Sequence, residues 1–259
     1  MRVVRPLVIF VAVFLSVIPF ISTSIAQETG DRSSQLAEID HLMADLADVQ
    51  KLSKALDVCR RSLKKSPDQL DVQAKACRIC WHLGVQLEDE DKAKETFEIG
   101  YKLAQKMKQR HPDKPDGWYW YAVNYGAYIE RSSIFAKIGG VGEIMEHAKK
   151  TLSMDPRYDS GGAYLMVGRI NQKMPGGNDA IAEDYFLKAI EVAPNRTTGH
   201  LYLGELYYDQ KKYDQALKEI EFVLNSPSVA AFIVERKLNT PPATELKEEI
   251  QKKLERRRR

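Results

Sequence analysis

The chain has 259 residues, of which 44 % are hydrophobic and 29 % are charged. These fractions fit a soluble helical protein with a modest core. The 39 Lys and Arg side chains nearly balance 36 Asp and Glu side chains, for a formal net charge of +3. Such a small charge gives no global attraction to nucleic acid, so we predict no nucleic-acid partner.

The first 26 residues have the features of a secretory signal peptide. Two arginines and no acidic residue accompany an apolar run, and Ser24-Ile25-Ala26 resembles a signal-peptidase cleavage site. Pro19 interrupts the run, which is short for a membrane span, so an uncleaved anchor is the weaker alternative. We predict cleavage between Ala26 and Gln27, a periplasmic or secreted location, and no stable membrane insertion afterwards.

The rest of the chain divides by its patterning. Residues 27–34 are polar and are interpreted as a disordered linker. Apolar residues at helical spacing then predict a helical-repeat domain over residues 35–230, with no period-two alternation typical of strands. Residues 231–259 are interpreted as a C-terminal segment that contains a separate solvated helix and the basic tail Arg256–Arg259.

One helical pattern recurs in the last third of the chain at a spacing of about 34 residues. Its two copies consist of Tyr164, Val167, Gly168, Phe186, Ala189 and Pro194, and then of His200, Leu203, Gly204, Tyr207, Ala216, Ile220, Val223 and Pro227. The pattern resembles the tetratricopeptide repeat (TPR), in which small residues allow two helices to approach closely and proline ends the second helix. The resemblance implies an all-α, right-handed superhelix of four to five antiparallel helix pairs.

Earlier units match the repeat less regularly. A first unit begins with the apolar face around Ile39, a second contains Cys80 and Gly84, and a third opens at Trp118.

The glycine-rich residues 139–142 lack the strand and the Lys-Ser/Thr ending of a nucleotide loop, and they are interpreted as a flexible insertion between two helices.

A narrower resemblance covers roughly residues 112–227. A repeat helix ends in Met174-Pro175-Gly176-Gly177, and the next helix carries Ala182, Phe186 and Ala189. This order is similar to the periplasmic T component associated with tripartite ATP-independent (TRAP) transporters, although the chain lacks the lipid-anchoring cysteine expected there. That resemblance implies an accessory of a solute uptake system with a hydrophobic small molecule in its groove.

The TPR resemblance also implies which side chains face the concave surface of the superhelix. These candidate groove residues are Arg78, Trp81, Tyr119, Leu165, Arg169, Leu201, Glu205 and Tyr208. Their mixture of apolar, aromatic and charged groups differs from the all-basic clamps that bind a peptide's terminal carboxylate. In the aromatic cluster of the third unit, Trp118 is expected in the core and Tyr119 in the groove, with Trp120 assignable to either.

Cys77-Arg-Ile-Cys80 lies inside a predicted helix, where a reactive thiolate is not expected. Small core residues are the first interpretation, and a disulfide from Cys59 to one of the two is the alternative. No metal-ligand spacing, catalytic constellation or cofactor motif is present in the sequence, so we predict neither metal, cofactor nor enzymatic activity.

The function that the sequence favours is therefore that of an exported, non-catalytic TPR module that mediates protein–protein interaction or assembly in the periplasm. Its partner would be a protein or peptide. The alternative is the uptake accessory, with a hydrophobic small molecule in the concave groove.

Overall fold

The structure is a computed structural model that describes residues 32–258, and within this range the chain is helical with no strand. The helices are α1 (described over residues 32–43), α2 (Val49–Lys65), α3 (Leu70–Gly84), α4 (Glu90–Arg110), α5 (Pro115–Glu130), α6 (Ile134–Met154), α7 (Gly162–Lys173), α8 (Asp179–Val192), α9 (Thr197–Asp209), α10 (Tyr213–Asn225) and α11 (Ile233–Arg258). Short 3₁₀ turns at Tyr158–Gly161 and Ala230–Phe232 precede α7 and α11. Each helix from α2 to α11 packs against the next one along the chain, and Ile39 of α1 is buried in one apolar cluster with residues of α2 and α3. This arrangement confirms the predicted all-α, TPR-like superhelix.

The glycines of the repeat pattern, such as Gly84 and Gly168, determine how closely the two helices of a unit approach. A Cβ atom added to Gly168 would lie 2.5 Å from the ring of Phe186, and one added to Gly84 would lie 2.5 Å from the ring of Phe97. Both rings are fully buried. Because only glycine leaves room for these rings, its spacing in the sequence correctly marked the helix pairs.

The alanine positions of the repeat are equally tight, which leads to a first prediction. Ala216 is fully buried in α10, whereas its neighbour Gln215 is exposed. We expect Ala216→Leu to lower the free energy of unfolding by about 1–3 kcal/mol through overpacking, and Gln215→Leu to change it little. Urea denaturation of both variants measures this, and equal effects would show that the repeat register is wrong.

Two segments that were predicted to be irregular are helical. Residues 32–34, interpreted as linker, belong to α1, where Arg32 donates a 2.8 Å hydrogen bond to the carboxylate of Asp71. Residues 139–142, interpreted as a flexible insertion, lie inside α6. A Cβ at Gly140 would lie 2.8 Å from Ile129 of α5, so this glycine permits close helix packing.

The C-terminal helix α11 is not the separate, solvated helix that the charge pattern indicated. Val234 near its start is buried in the same apolar cluster as Ile39 and Cys80 of the first units. Farther along, Ala243 and Ile250 are fully buried in the cluster of the last two units. The helix therefore crosses the concave side of the superhelix and contacts both of its ends.

The signal-peptide prediction concerns residues 1–26, which lie outside the described residues. Within residues 32–258, no helix is both long and apolar enough to cross a membrane.

Candidate binding groove

A cavity of about 790 Å³ lies between the concave face and the beginning of α11. One wall is formed by the first helices of four successive units, α3, α5, α7 and α9, and the other by the 3₁₀ turn Ala230–Phe232 and the first turns of α11. Apolar side chains such as Val123, Met166 and Leu238 share the lining with charged ones. The cavity therefore offers both apolar and polar contacts along a channel that crosses the repeats.

Five of the eight candidate groove residues line this cavity: Arg78, Trp81, Tyr119, Leu165 and Arg169. They come from α3, α5 and α7, which contribute the central part of the concave face. The predicted groove residues of these three helices therefore line a single cavity.

The other three candidates, all on α9, do not line the cavity. Leu201 is buried in the core of the last units, and Tyr208 packs against the same core, with its ring 5.6 Å from that of Tyr213. Glu205 accepts a hydrogen bond at 2.5 Å from Arg169 and forms an ion pair at 3.3 Å with Lys173. Leu201 and Tyr208 thus belong to the core that α9 shares with α10 and α11, whereas Glu205 ties α9 to α7.

Tyr119 reaches the cavity but is not an exposed anchor. Its side chain is nearly buried, and its hydroxyl donates a 2.5 Å hydrogen bond to the carboxylate of Asp159. Burial, and then the nearby Asp159 charge, raise the pKa of Tyr119 well above its ordinary value. Trp120 is also buried, whereas Trp118 is only half-buried, with its indole N–H donated to the carbonyl of Pro112. Tyr119 thus lines the groove, as predicted, but as a buried residue, whereas Trp118 is less buried than a core position implies.

A buried polar network at one side of the cavity has no counterpart in the sequence-based prediction. Arg196, the residue before α9, donates from Nε and Nη2 to both carboxylate oxygens of Glu235 on α11, at 2.9 and 2.7 Å. Thr198 donates to the same carboxylate at 2.5 Å, and Asn239 donates to Thr198 at 2.9 Å. Arg196 and Glu235 are each 8 % exposed. The network ties the beginning of α11 to the last repeat.

Sequence patterning could not have found this pair. Arg196 belongs to an ordinary turn after a proline, and Glu235 belongs to a segment rich in charges of both signs. Glu235 follows the apolar residues 231–234, whereas Arg196 is flanked by polar residues, so no local signal marks the two as a pair.

The network also holds an unusual backbone turn at the cavity wall. Asp159, Ser160 and Gly161 have φ angles of 44°, 56° and 72°, so three consecutive residues are left-handed. This region is disfavoured for non-glycine residues. Arg196 Nη1 donates to the carbonyl of Asp159 at 2.8 Å, and the Tyr119 hydroxyl engages its side chain. The strained turn is therefore held from both sides.

Two side chains of α3 that line the cavity carry buried nitrogens without a partner. Arg78 and His82 lie four residues apart on α3, and both line the cavity. Among the described residues, Arg78 Nε and His82 Nδ1 are buried without a hydrogen-bond partner. His82 is 4 % exposed, and its burial, followed by the charge of Arg78, lowers its pKa to about 3.

This buried histidine leads to a prediction about pH. In the unfolded chain His82 titrates near pH 6.5, so below that pH the unfolded state binds a proton that the folded state does not. Stability is therefore lost as the pH falls from about 6.5 towards about 3. Between pH 7 and pH 4.5 we expect His82 to cost about 2 kcal/mol, measured by urea denaturation. His82→Phe should flatten this dependence, and an unchanged pH profile would contradict the prediction.

His147 should contribute in the same direction. Its side chain is buried, Nδ1 lies 2.8 Å from the carbonyl of Glu143, and Nε2 lies 2.6 Å from Lys108 Nζ. Nδ1 therefore carries the proton and Nε2 accepts from the ammonium group. Burial, and the charge of Lys108, lower the pKa of His147.

The three cysteines are free thiols and buried. Burial raises the pKa values of Cys59 and Cys80 to about 12, and that of Cys77 well above its ordinary value. These thiols stay protonated and occupy core positions, as the first interpretation held, and no disulfide links them. The described residues also contain no group of three His, Cys, Asp or Glu side chains that could hold a metal ion.

Comparison with solved structures places this fold among TPR proteins. A thermophilic TPR protein of Thermus thermophilus superposes with a TM-score of 0.59 at 18 % identity, covering 80 % of this chain and 98 % of that chain. PilF of Pseudomonas aeruginosa superposes with a TM-score of 0.53 at 15 % identity, covering 88 % of this chain and 93 % of that one. At these identities the likeness shows the fold alone.

Sequence comparison adds a family. No curated protein matches the chain over its sequence. The two solved structures give no support to the resemblance to the TRAP T component, and neither does the family model that matches this chain. The family model described as "Regulator of microtubule dynamics protein 1-3" matches residues 35–174, which is more than half of the chain. The chain therefore belongs to the family of regulator of microtubule dynamics proteins 1-3.

Proposed function

We propose that the chain is an exported interaction module that binds a polypeptide segment in its concave groove. The single observation that carries this proposal is the cavity lined from α3, α5 and α7 by Arg78, Trp81, Tyr119, Leu165 and Arg169. Successive first helices thus present aromatic, apolar and cationic groups along one channel, which is a surface suited to several consecutive side chains of a partner.

The position of α11 supports a peptide rather than a compact solute. This helix is itself a polypeptide segment docked along the concave face, with Val234 and Glu235 buried there. Leu238, beside the cavity, remains 43 % exposed. The groove is therefore only partly filled by the chain's own helix, and the remaining channel admits a second segment beside it.

A substitution that fills the channel tests the proposal. Ala127 of α5 lines the cavity and is half-buried, so Ala127→Trp should occupy the space that a ligand needs. Peptides selected from a random 12-residue phage library on the full chain supply the probe. We expect them to bind the native chain in a fluorescence-anisotropy titration and to bind Ala127→Trp at least tenfold more weakly.

The matched control is Ala37→Trp, which adds the same side chain at an exposed position of α1. It should bind the peptides as the native chain does. No selectable peptide, or equal binding by Ala127→Trp, would contradict the proposal. Native mass spectrometry of the protein from its own host tests the alternative. A bound small molecule instead of a polypeptide would favour the accessory of a solute uptake system.

Export has its own test. Intact mass of the protein from its host should correspond to a chain that starts at Gln27. The family description names microtubule dynamics, so co-sedimentation with polymerised tubulin is the second measurement. A chain that retains residues 1–26 and co-sediments with microtubules would contradict export and indicate a cytoskeletal partner.

A further inference from the structure

The part of the groove on α3 has buried side-chain nitrogens without a hydrogen-bond partner. Arg78 and His82 line the cavity four residues apart on this helix, and among the described residues Arg78 Nε and His82 Nδ1 have no partner. His82 is 96 % buried, being only 4 % exposed. Buried donors are rarely left unpaired in folded proteins. The Arg78 guanidinium and the His82 imidazole are therefore available to a partner from outside the chain.

The same groove already shows how it receives a carboxylate from a helix. Glu235 of α11 inserts between two donors of Arg196 and the hydroxyl of Thr198, while the ring of Phe232, three residues earlier, lies 5.5 Å from the Arg196 guanidinium. An arginine fork pairs with a carboxylate through two parallel hydrogen bonds. Arg78 carries the same guanidinium group, and no carboxylate of the described residues pairs with it.

We propose that Arg78 and His82 form a second carboxylate subsite, which receives a Glu or Asp side chain of the peptide bound in the groove. Arg78 supplies the charged fork, and the His82 imidazole donates an N–H bond. Val85 and Val123, which also line the cavity, contact apolar side chains adjacent to that acid. This inference rests on the proposed function, because it specifies the chemistry of the same ligand.

The neighbouring charges permit an anion here. Arg196 is neutralised by Glu235, and its charge also reaches His82. Asp159 is the acidic group near His82, but its carboxylate accepts the hydroxyl of Tyr119 and makes no ion pair with Arg78 within the part of the chain that is described. Over residues 32–258, the guanidinium of Arg78 thus has no ionic partner at this part of the groove.

The experiment uses the full chain and the peptides selected as above. Each acidic peptide is synthesised together with a copy in which Glu is replaced by Gln or Asp by Asn. We expect the acidic form to bind at least tenfold more tightly, and this advantage to disappear in Arg78→Gln. His82→Phe, which keeps the ring but removes the donor, should lose several-fold in affinity for the acidic form only.

Arg61→Gln on α2 is the control, since Arg61 is exposed and away from the cavity. It should bind both peptides as the native chain does, and thermal melts should show that all variants remain folded. Selected peptides that bind in an Ala127-dependent way without an acid, or equally well to Arg78→Gln, would overturn the subsite while the proposed function stands. Failure to select any peptide would overturn both.

The final measurement tests binding to anionic phospholipid vesicles. Vesicles of phosphatidylglycerol and phosphatidylcholine are mixed with the native chain and with Arg78→Gln, and binding is measured by co-flotation. We expect no Arg78-dependent flotation. Flotation that Arg78→Gln abolishes, together with equal binding of acidic and neutral peptides, would overturn the subsite in favour of a lipid headgroup.

Discussion

Replacing Arg196 by glutamine is expected to lower the free energy of unfolding by about 3–5 kcal/mol, because Glu235 would then remain buried without its cation. Both residues are 8 % exposed, and the pair makes two hydrogen bonds at 2.9 and 2.7 Å. Thr198 alone cannot replace the lost charge. Urea denaturation measures the loss.

An exposed ion pair is the control for this substitution. Arg60 and Asp57 on α2 lie 3.3 Å apart, with both side chains more than half exposed. Arg60→Gln should change stability by less than about 1 kcal/mol. Similar losses for the two arginines would show that the buried pair is not a special stabilising contact.

The same variant should loosen α11 locally. Lys237 is exposed two residues after Glu235, so the first turns of α11 offer a site for trypsin once they leave the groove. We expect Arg196→Gln to be cut after Lys237 faster than the native chain, under conditions where the repeat core resists digestion. A Glu235→Gln, Arg196→Gln double variant should recover part of the stability, because no buried charge is left unpaired.

The second large effect concerns the repeat core. Phe186 of α8 is fully buried against Gly168 and is expected to cost about 3–5 kcal/mol when replaced by alanine. Its neighbour Leu187 is 48 % exposed, so Leu187→Ala should cost less than about 1 kcal/mol. Urea denaturation of the pair separates them, and comparable losses would refute the assignment of Phe186 to the inter-helix position of the repeat.

The repeat architecture could be predicted from local patterns. Gly168 and Gly204 precede their packing partners at nearly constant spacing, and the adjacent prolines mark helix ends. The groove residues on α3, α5 and α7 followed from the same register, since a concave position depends only on the phase of the helix. Tyr119 shows the limit of prediction from helix phase. The phase did not reveal that the Tyr119 hydroxyl would donate to Asp159 or that the side chain would be buried.

The course of α11 could not be predicted in this way. Its residues alternate charged and apolar groups with little helical asymmetry, and Pro241-Pro242 interrupts the pattern. Whether such a helix is solvated or docked depends on which surfaces the rest of the chain leaves uncovered. Here the concave face offers an apolar position for Val234 and a cation for Glu235.

The sequence by itself determined the helical repeat and the close glycine contacts, because these depend on periodicity within about 34 residues. Only the tertiary structure decided where the C-terminal helix docks and that Arg196 pairs with Glu235. It also decided that buried nitrogens of Arg78 and His82 have no partner among the described residues. Those features arise between residues far apart in the chain, where burial and partner geometry, rather than local spacing, determine which side chains meet.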